Sequence, residues 1–208
     1  MSIAEPISSN PDVRRRLSRE ERARQLIETA WRMLGQDGAD ALTLGRLAER
    51  AGVTKPVVYD HFGTREGLLA ALFRDFDRRQ TETMDAALAA SEASLDAKAR
   101  VLADSYIECV ARQGREIPGI LAALAGSPEM SEIIREHERA FTAKCRDLLA
   151  PFAADGGPSA AALWAMLGSA EALSRAAAAG DLSEEAARAE LYTAIVQTVR
   201  RGEPSIDI

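Results

Sequence analysis

Residues 43–62, TLGRLAERAGVTKPVVYDHF, constrain this chain more than any other stretch, because they spell two short helices around a tight turn. Leu44, Leu47, Ala48 and Ala51 recur at helical spacing and give the first helix one apolar face. Thr43 stands where a side-chain oxygen accepts from the orphan amides of a helix start. Gly52 ends that helix, since glycine takes the left-handed backbone favoured at a helix C-terminus, and Val53 is placed to pack back into the corner. Thr54 is an N-cap for the next helix, and Pro56 belongs in a first turn, where its missing amide would have no helical acceptor anyway. The second helix is expected over residues 55–61. It carries Lys55 at its positive end, Val57 and Val58 turned inward or towards base methyls, and Tyr59 and His61 as hydrogen-bonding groups. A helix-turn-helix unit lays such a second helix in the major groove of DNA.

The run Leu47, Ala48, Glu49, Arg50, Ala51, Gly52, Val53, Thr54, then Val58, Tyr59, Asp60, His61, Phe62, resembles the reading unit of TetR-family repressors. The likeness continues through Gly63, Thr64, Arg65, Glu66, Gly67, Leu68 and Leu69. It implies an all-α fold, with an N-terminal three-helix DNA-binding domain and a C-terminal helical domain for effector binding and dimerisation. It also implies a homodimer on a double-stranded operator with an inverted repeat, and a small-molecule effector whose binding changes the separation of two heads. The candidate DNA-binding residues are Thr43, Arg46, Thr54, Lys55, Pro56, Val57, Tyr59, His61 and Arg65. Phe62 has no polar handle and is expected in the core. Two departures stand out: Gly45 lies near a helix start, where glycine costs about 1 kcal/mol relative to alanine, and Asp60 would repel phosphates unless it turns away or meets a cation.

Charge supports a division of labour. The chain carries −6 overall, yet residues 1–80 hold 14 Lys or Arg against 12 Asp or Glu. A mildly basic head on an acidic body suits nucleic-acid binding, which depends on a local basic face. The expected organisation is a basic arm over residues 1–17, a DNA-binding domain over 18–63 and an effector and dimerisation domain over 64–208, whose first helix is the connector. In the arm, Arg14, Arg15 and Arg16 either lie along DNA or form a solvated tail. Ser18 and Glu21 make a capping box, and Ala23, Leu26, Ile27, Ala30, Trp31 and Leu34 line one face of a first helix that Gly35 and Gly38 end.

The rest of the chain predicts five further helices beyond the connector: over residues 96–113, 118–125, 128–149, 159–180 and 183–202. Strand patterns are absent. The last two are rich in small residues, Ala160, Ala161, Ala165, Gly168 and Ala172 among them, which permits close helix approach; the resemblance implies a four-helix dimer bundle there. Tyr106, Cys109, Phe141, Trp164 and Met166 are candidate effector-pocket residues, each also explicable as core.

No phosphate-binding glycine loop, H-E-x-x-H pair or nucleophile elbow occurs, so no catalytic residue, metal site or cofactor is assigned. His137, in Arg135-Glu136-His137-Glu138-Arg139, is expected on a solvated, ion-paired helix face. Cys109 and Cys145 have no ligand spacing and are expected as small buried hydrophobes. No apolar run approaches the roughly 20 residues that span a bilayer, and the expected location is the cytoplasm. Alternatives are a DNA-binding dimer without an effector and, more remotely, a helical enzyme.

Overall fold

The computed structural model describes residues 17–153 and 157–200. The arginine arm and the end of the last predicted helix lie outside these residues. Among them the chain forms nine α-helices, two short 3₁₀ turns and no strand.

Helix α1, Arg19–Asp37, starts on the full capping box, with the Glu21 amide donating to Ser18 Oγ at 3.1 Å and the Ser18 amide to Glu21 Oε2 at 2.7 Å. It passes through Gly35 and stops at Gly38, whose φ of 77° demands glycine. Its buried face centres on Leu26, Ala30 and Met33, with Ile27, Trp31 and Leu34 half-buried along its edge. A 3₁₀ turn, Ala39–Ala41, leads into α2, Leu44–Ala51, and α3, Lys55–Phe62. The connector α4 is Arg65–Ala90. Beyond it come α5 (Leu95–Glu116), α6 (Pro118–Leu124), α7 (Pro128–Leu149), α8 (Ala160–Ala179) and α9 (Glu184–Arg200).

Two apolar clusters organise these helices. The first joins Leu26 and Met33 of α1, Leu47 of α2 and Val58 of α3 to Leu68, Leu69, Leu72 and Phe76 of α4. It continues past residue 63 into Ile117, Ile120, Leu124 and Ile133, so the head is closed partly by α6 and the start of α7. Contact there is close: a Cβ on Gly119 of α6 would lie 2.8 Å from the Ala39 methyl. The second cluster joins the far end of α4, through Met84 and Leu88, to α5, α7, α8 and α9.

Both clusters share α4. Burying a side chain of the size of Phe76 or Leu72 contributes about 1.5–3 kcal/mol, and both are fully buried. Polar contacts add a tie from α1, where Trp31 Nε1 donates to Asp75 Oδ2 at 2.7 Å and the Arg79 guanidinium lies 4.5 Å from the Trp31 ring centre.

Candidate nucleic-acid interface and internal cavity

The turn between α2 and α3 is built as its residues predict. Thr43 Oγ1 accepts from the Arg46 amide at 3.2 Å, and Gly52 (φ 66°, ψ 35°) closes α2 in the left-handed conformation. The Val53 amide then returns to the Ala48 carbonyl at 3.0 Å, and Val53 packs against the head core. Pro56 sits in the first turn of α3. Thr54 stands at the N-cap, but its hydroxyl makes no capping hydrogen bond and is left exposed.

On α3 the faces separate cleanly. Val58 is fully buried, and Phe62 and His61 are half-buried with tilted rings 6.1 Å apart, so Phe62 is an edge of the core rather than its centre. Lys55, Pro56, Tyr59 and Asp60 face outward, with Tyr59 53% exposed, and Val57 is half-buried between the two faces. Asp60 meets a cation, Arg19 Nη1, at 3.2 Å. Arg46 and Arg50 on α2 share Asp37 Oδ2 at 3.2 Å each, which fixes both guanidinium groups beside the turn. Among the described residues Lys55 makes no ion pair, and its Cε lies against Gly45, 3.6 Å from where a Cβ would stand.

Arg65 is placed differently from its neighbours in the candidate set. Its Nε donates to the Leu42 carbonyl at 3.0 Å and its Nη2 to the Ala39 carbonyl at 2.9 Å, so the guanidinium staples the start of α4 to the 3₁₀ turn. Gly67 is equally constrained: a Cβ there would lie 2.1 Å from the Phe62 carbonyl oxygen, so only glycine lets α4 cross the end of α3.

Behind the head, α4, α5, α7 and α8 enclose a cavity of about 400 Å³. Tyr106, Cys109 and Phe141 line it, whereas Trp164 and Met166 do not. Trp164 is 48% exposed on the outer face of α8, and Met166 is buried in the second apolar cluster. Cys109 is thus a wall residue, and burial pushes its thiol up to about 12, as it does for buried Cys145. Both thiols are free.

His137 is the principal correction. Instead of a solvated face it occupies the cavity wall, its ring stacked on Phe141 (10° between planes, 6.0 Å between centres), with Tyr106 edge-on to Phe141 at 5.1 Å. Its Nδ1 lies 3.1 Å from Asp77 Oδ1 on α4, and this hydrogen bond raises its pKa above the usual histidine value against the opposing effect of burial. Asp77, Glu138 and Glu171 also line the cavity. A signal for His137 existed in the chain: with Ile133 and Phe141 it falls at i, i+4, i+8, on the inner stripe of α7.

Comparison with known proteins agrees with this geometry. Residues 26–72 match the family model of bacterial regulatory proteins, tetR family. The transcriptional activator FasR of Mycolicibacterium smegmatis is 43% identical over 63 residues, 30% of this chain and 29% of FasR. The transcriptional regulator BetI of Brucella anthropi is 29% identical over 85 residues, 41% of this chain and 44% of BetI. The chain thus matches less than half the length of these curated relatives. Likeness in fold extends further: the multidrug binding protein EbrR superposes with a TM-score of 0.64 over 89% of this chain and 97% of its own, at 22% identity. A TetR-family transcriptional regulator from Streptomyces coelicolor gives 0.57 over 86% and 95%, at 21% identity. Residues 26–72 thus carry the DNA-binding segment described for bacterial regulatory proteins of the tetR family, and the all-helical body behind them shares its fold with a TetR-family regulator.

Proposed function

We propose that this protein is a cytoplasmic, homodimeric DNA-binding regulator, a repressor that leaves its operator when a small molecule fills the cavity. The observation that carries the proposal is α4. One uninterrupted helix contributes Leu68, Leu69, Leu72 and Phe76 to the head core and, within two further turns, Asp77, Thr81 and Met84 to the cavity wall. A ligand that favours one position of that helix therefore biases the head, and it does so only by its differential affinity for the two positions.

On this reading residues 18–63 are the head and 64–208 the body. Lys55, Tyr59, Thr54, Pro56 and Thr43 face the double helix, Arg46 reaches the backbone from its pair with Asp37, and Val57 and His61 lie at the margin. Arg65 acts indirectly, by fixing the head to α4. The outer face of α8, where Ala161, Trp164, Ala165, Gly168 and Ala172 are all exposed in one chain, supplies the surface for the second copy.

DNA fragments that co-purify with the full chain identify the operator, and anisotropy on a labelled operator duplex then tests the proposal. Binding that is lost on adding fractions of a cell's small molecules supports it. Binding that no fraction disturbs identifies an effector-free dimer instead, and failure to select any DNA sequence refutes the regulator. The sign of regulation is read from a reporter placed behind the operator.

A further inference from the structure

The cavity has a charge preference of its own. Its walls are apolar or aromatic over most of their area, through Phe73, Met84, Ile133, Phe141 and Tyr106, which calls for a ligand with an apolar body. Three carboxylates, Asp77 of α4, Glu138 of α7 and Glu171 of α8, are half-buried in the same wall. Among the described residues neither Glu138 nor Glu171 makes an ion pair. The bases of the lining offset them poorly. Lys144 is bonded to Asp85, on the exposed side of α4, and Arg175 is exposed on α8, which leaves His137, held by Asp77, as the inward cation. Half-buried Tyr106 registers the result, since its phenol is held in the neutral form first by desolvation and then by Glu171, Cys109 and Glu138, with Arg175 opposing. A cation over an aromatic face gains where an anion loses.

We propose that the cavity takes an organic monocation with an aromatic or aliphatic body, and that the ligand seats by displacing His137 from Asp77. This rests on the effector reading of the cavity and adds the ligand's chemical class and a proton. The imidazolium of His137 and the incoming cation compete for one carboxylate, so binding releases a proton from His137, and affinity rises with pH until the histidine is neutral in the free protein. The other groups around His137 in the cavity wall are Glu138, Glu171 and Arg175, with Tyr106 and Cys109, whose protons burial holds in place.

The test uses the full chain without DNA and three probes of one shape: phenyltrimethylammonium, its neutral isostere tert-butylbenzene, and benzenesulfonate. Calorimetry or ligand-observed NMR is expected to give the cation an affinity about tenfold above the neutral isostere, with benzenesulfonate weaker than both. Glu171→Gln and Glu138→Gln are each expected to weaken the cation several-fold and leave tert-butylbenzene unchanged, a comparison that a misfolded variant fails visibly. Between about pH 5.5 and about 8.5 the cation's affinity rises by at most about tenfold per unit in the wild type and is flat in His137→Gln. Equal or tighter binding of benzenesulfonate, no difference between cation and isostere, no binding of any probe, or a flat wild-type profile overturns the proposal. Operator binding is measured separately, so a chain that binds the cation but no DNA refutes the regulator while leaving the cavity's preference standing.

Discussion

Two glycines of the head predict opposite outcomes for the same substitution. Gly67→Ala puts a methyl 2.1 Å from the Phe62 carbonyl oxygen, a backbone atom that cannot swing away, so α4 must shift off the end of α3. A loss of about 1–3 kcal/mol or more is expected in denaturant melts. Gly45→Ala meets only the end of the flexible Lys55 side chain, Cε at 3.6 Å and Nζ at 3.9 Å, both ordinary contacts, and gains about 0.5–1 kcal/mol from helix propensity. Equal stability of the two variants would remove the close crossing of α3 and α4. Along α3 the exposed and packed residues should also fail differently. Tyr59→Phe keeps the wild-type melt and loses about 0.5–1.5 kcal/mol of operator binding, Thr54→Ala changes stability by no more than about 0.5 kcal/mol because no cap is lost, and Phe62→Ala, half-buried, costs about 1–3 kcal/mol of stability. Melting and operator anisotropy on the same three proteins check this.

Between elements, α4 and α7 are joined by Arg74–Glu136 at 3.2 Å, Asp77–His137 and Asp85–Lys144. The middle pair is the one whose strength depends on pH. Because Asp77 raises the folded-state pKa of His137, its contribution is fully present below the unfolded value of about 6.5 and fades as pH rises through the raised value. Melting temperature should therefore fall across that window in the wild type and fall less in His137→Gln; parallel profiles would show that the pair does not couple the helices. On α8 the test is steric. Nothing lies within 4 Å of a Cβ added at Gly168, so Gly168→Leu leaves one chain's packing intact. If α8 faces a second copy, Gly168→Leu and Ala165→Leu give folded monomers by sedimentation with weakened operator binding, whereas unchanged dimers would move the interface elsewhere.

At the scale of the whole molecule, two heads related by a dyad require an operator with two-fold symmetry. Footprinting is expected to show an inverted repeat with half-site centres about 10 base pairs apart or a multiple of that spacing; protection of one asymmetric half-site would rule out the symmetric dimer. Electrostatics gives the same assembly a second signature. If the exposed cations Lys55 and Arg46 contact phosphates, removing either should lower the slope of log affinity against log salt by about one per lost contact in each half-site. For Lys55 a relaxed preference at one base pair, with the slope unchanged, would identify a base contact instead.

What the sequence determined by itself was local. Capping by Ser18 and Thr43, the left-handed stop at Gly52, Pro56 in a first turn and the apolar faces of α1 and α2 depend on neighbours within a few residues, and all are found where those residues place them. Tertiary structure decided what depends on distant partners. Arg65 meets carbonyls 23 and 26 residues away, Asp60 meets Arg19 at a separation of 41, and Trp31 meets Asp75 at 44. The cavity belongs to this second class. A polar residue on an apolar stripe, as Asp77 on α4 or His137 on α7, reads as a solvated charge until the helices are laid side by side, because period alone fixes a face but not what that face meets. Trp164 shows the converse: a large aromatic in an apolar helix looked inward by composition, yet its position on α8 turns it outward, onto the surface that the dimer proposal requires.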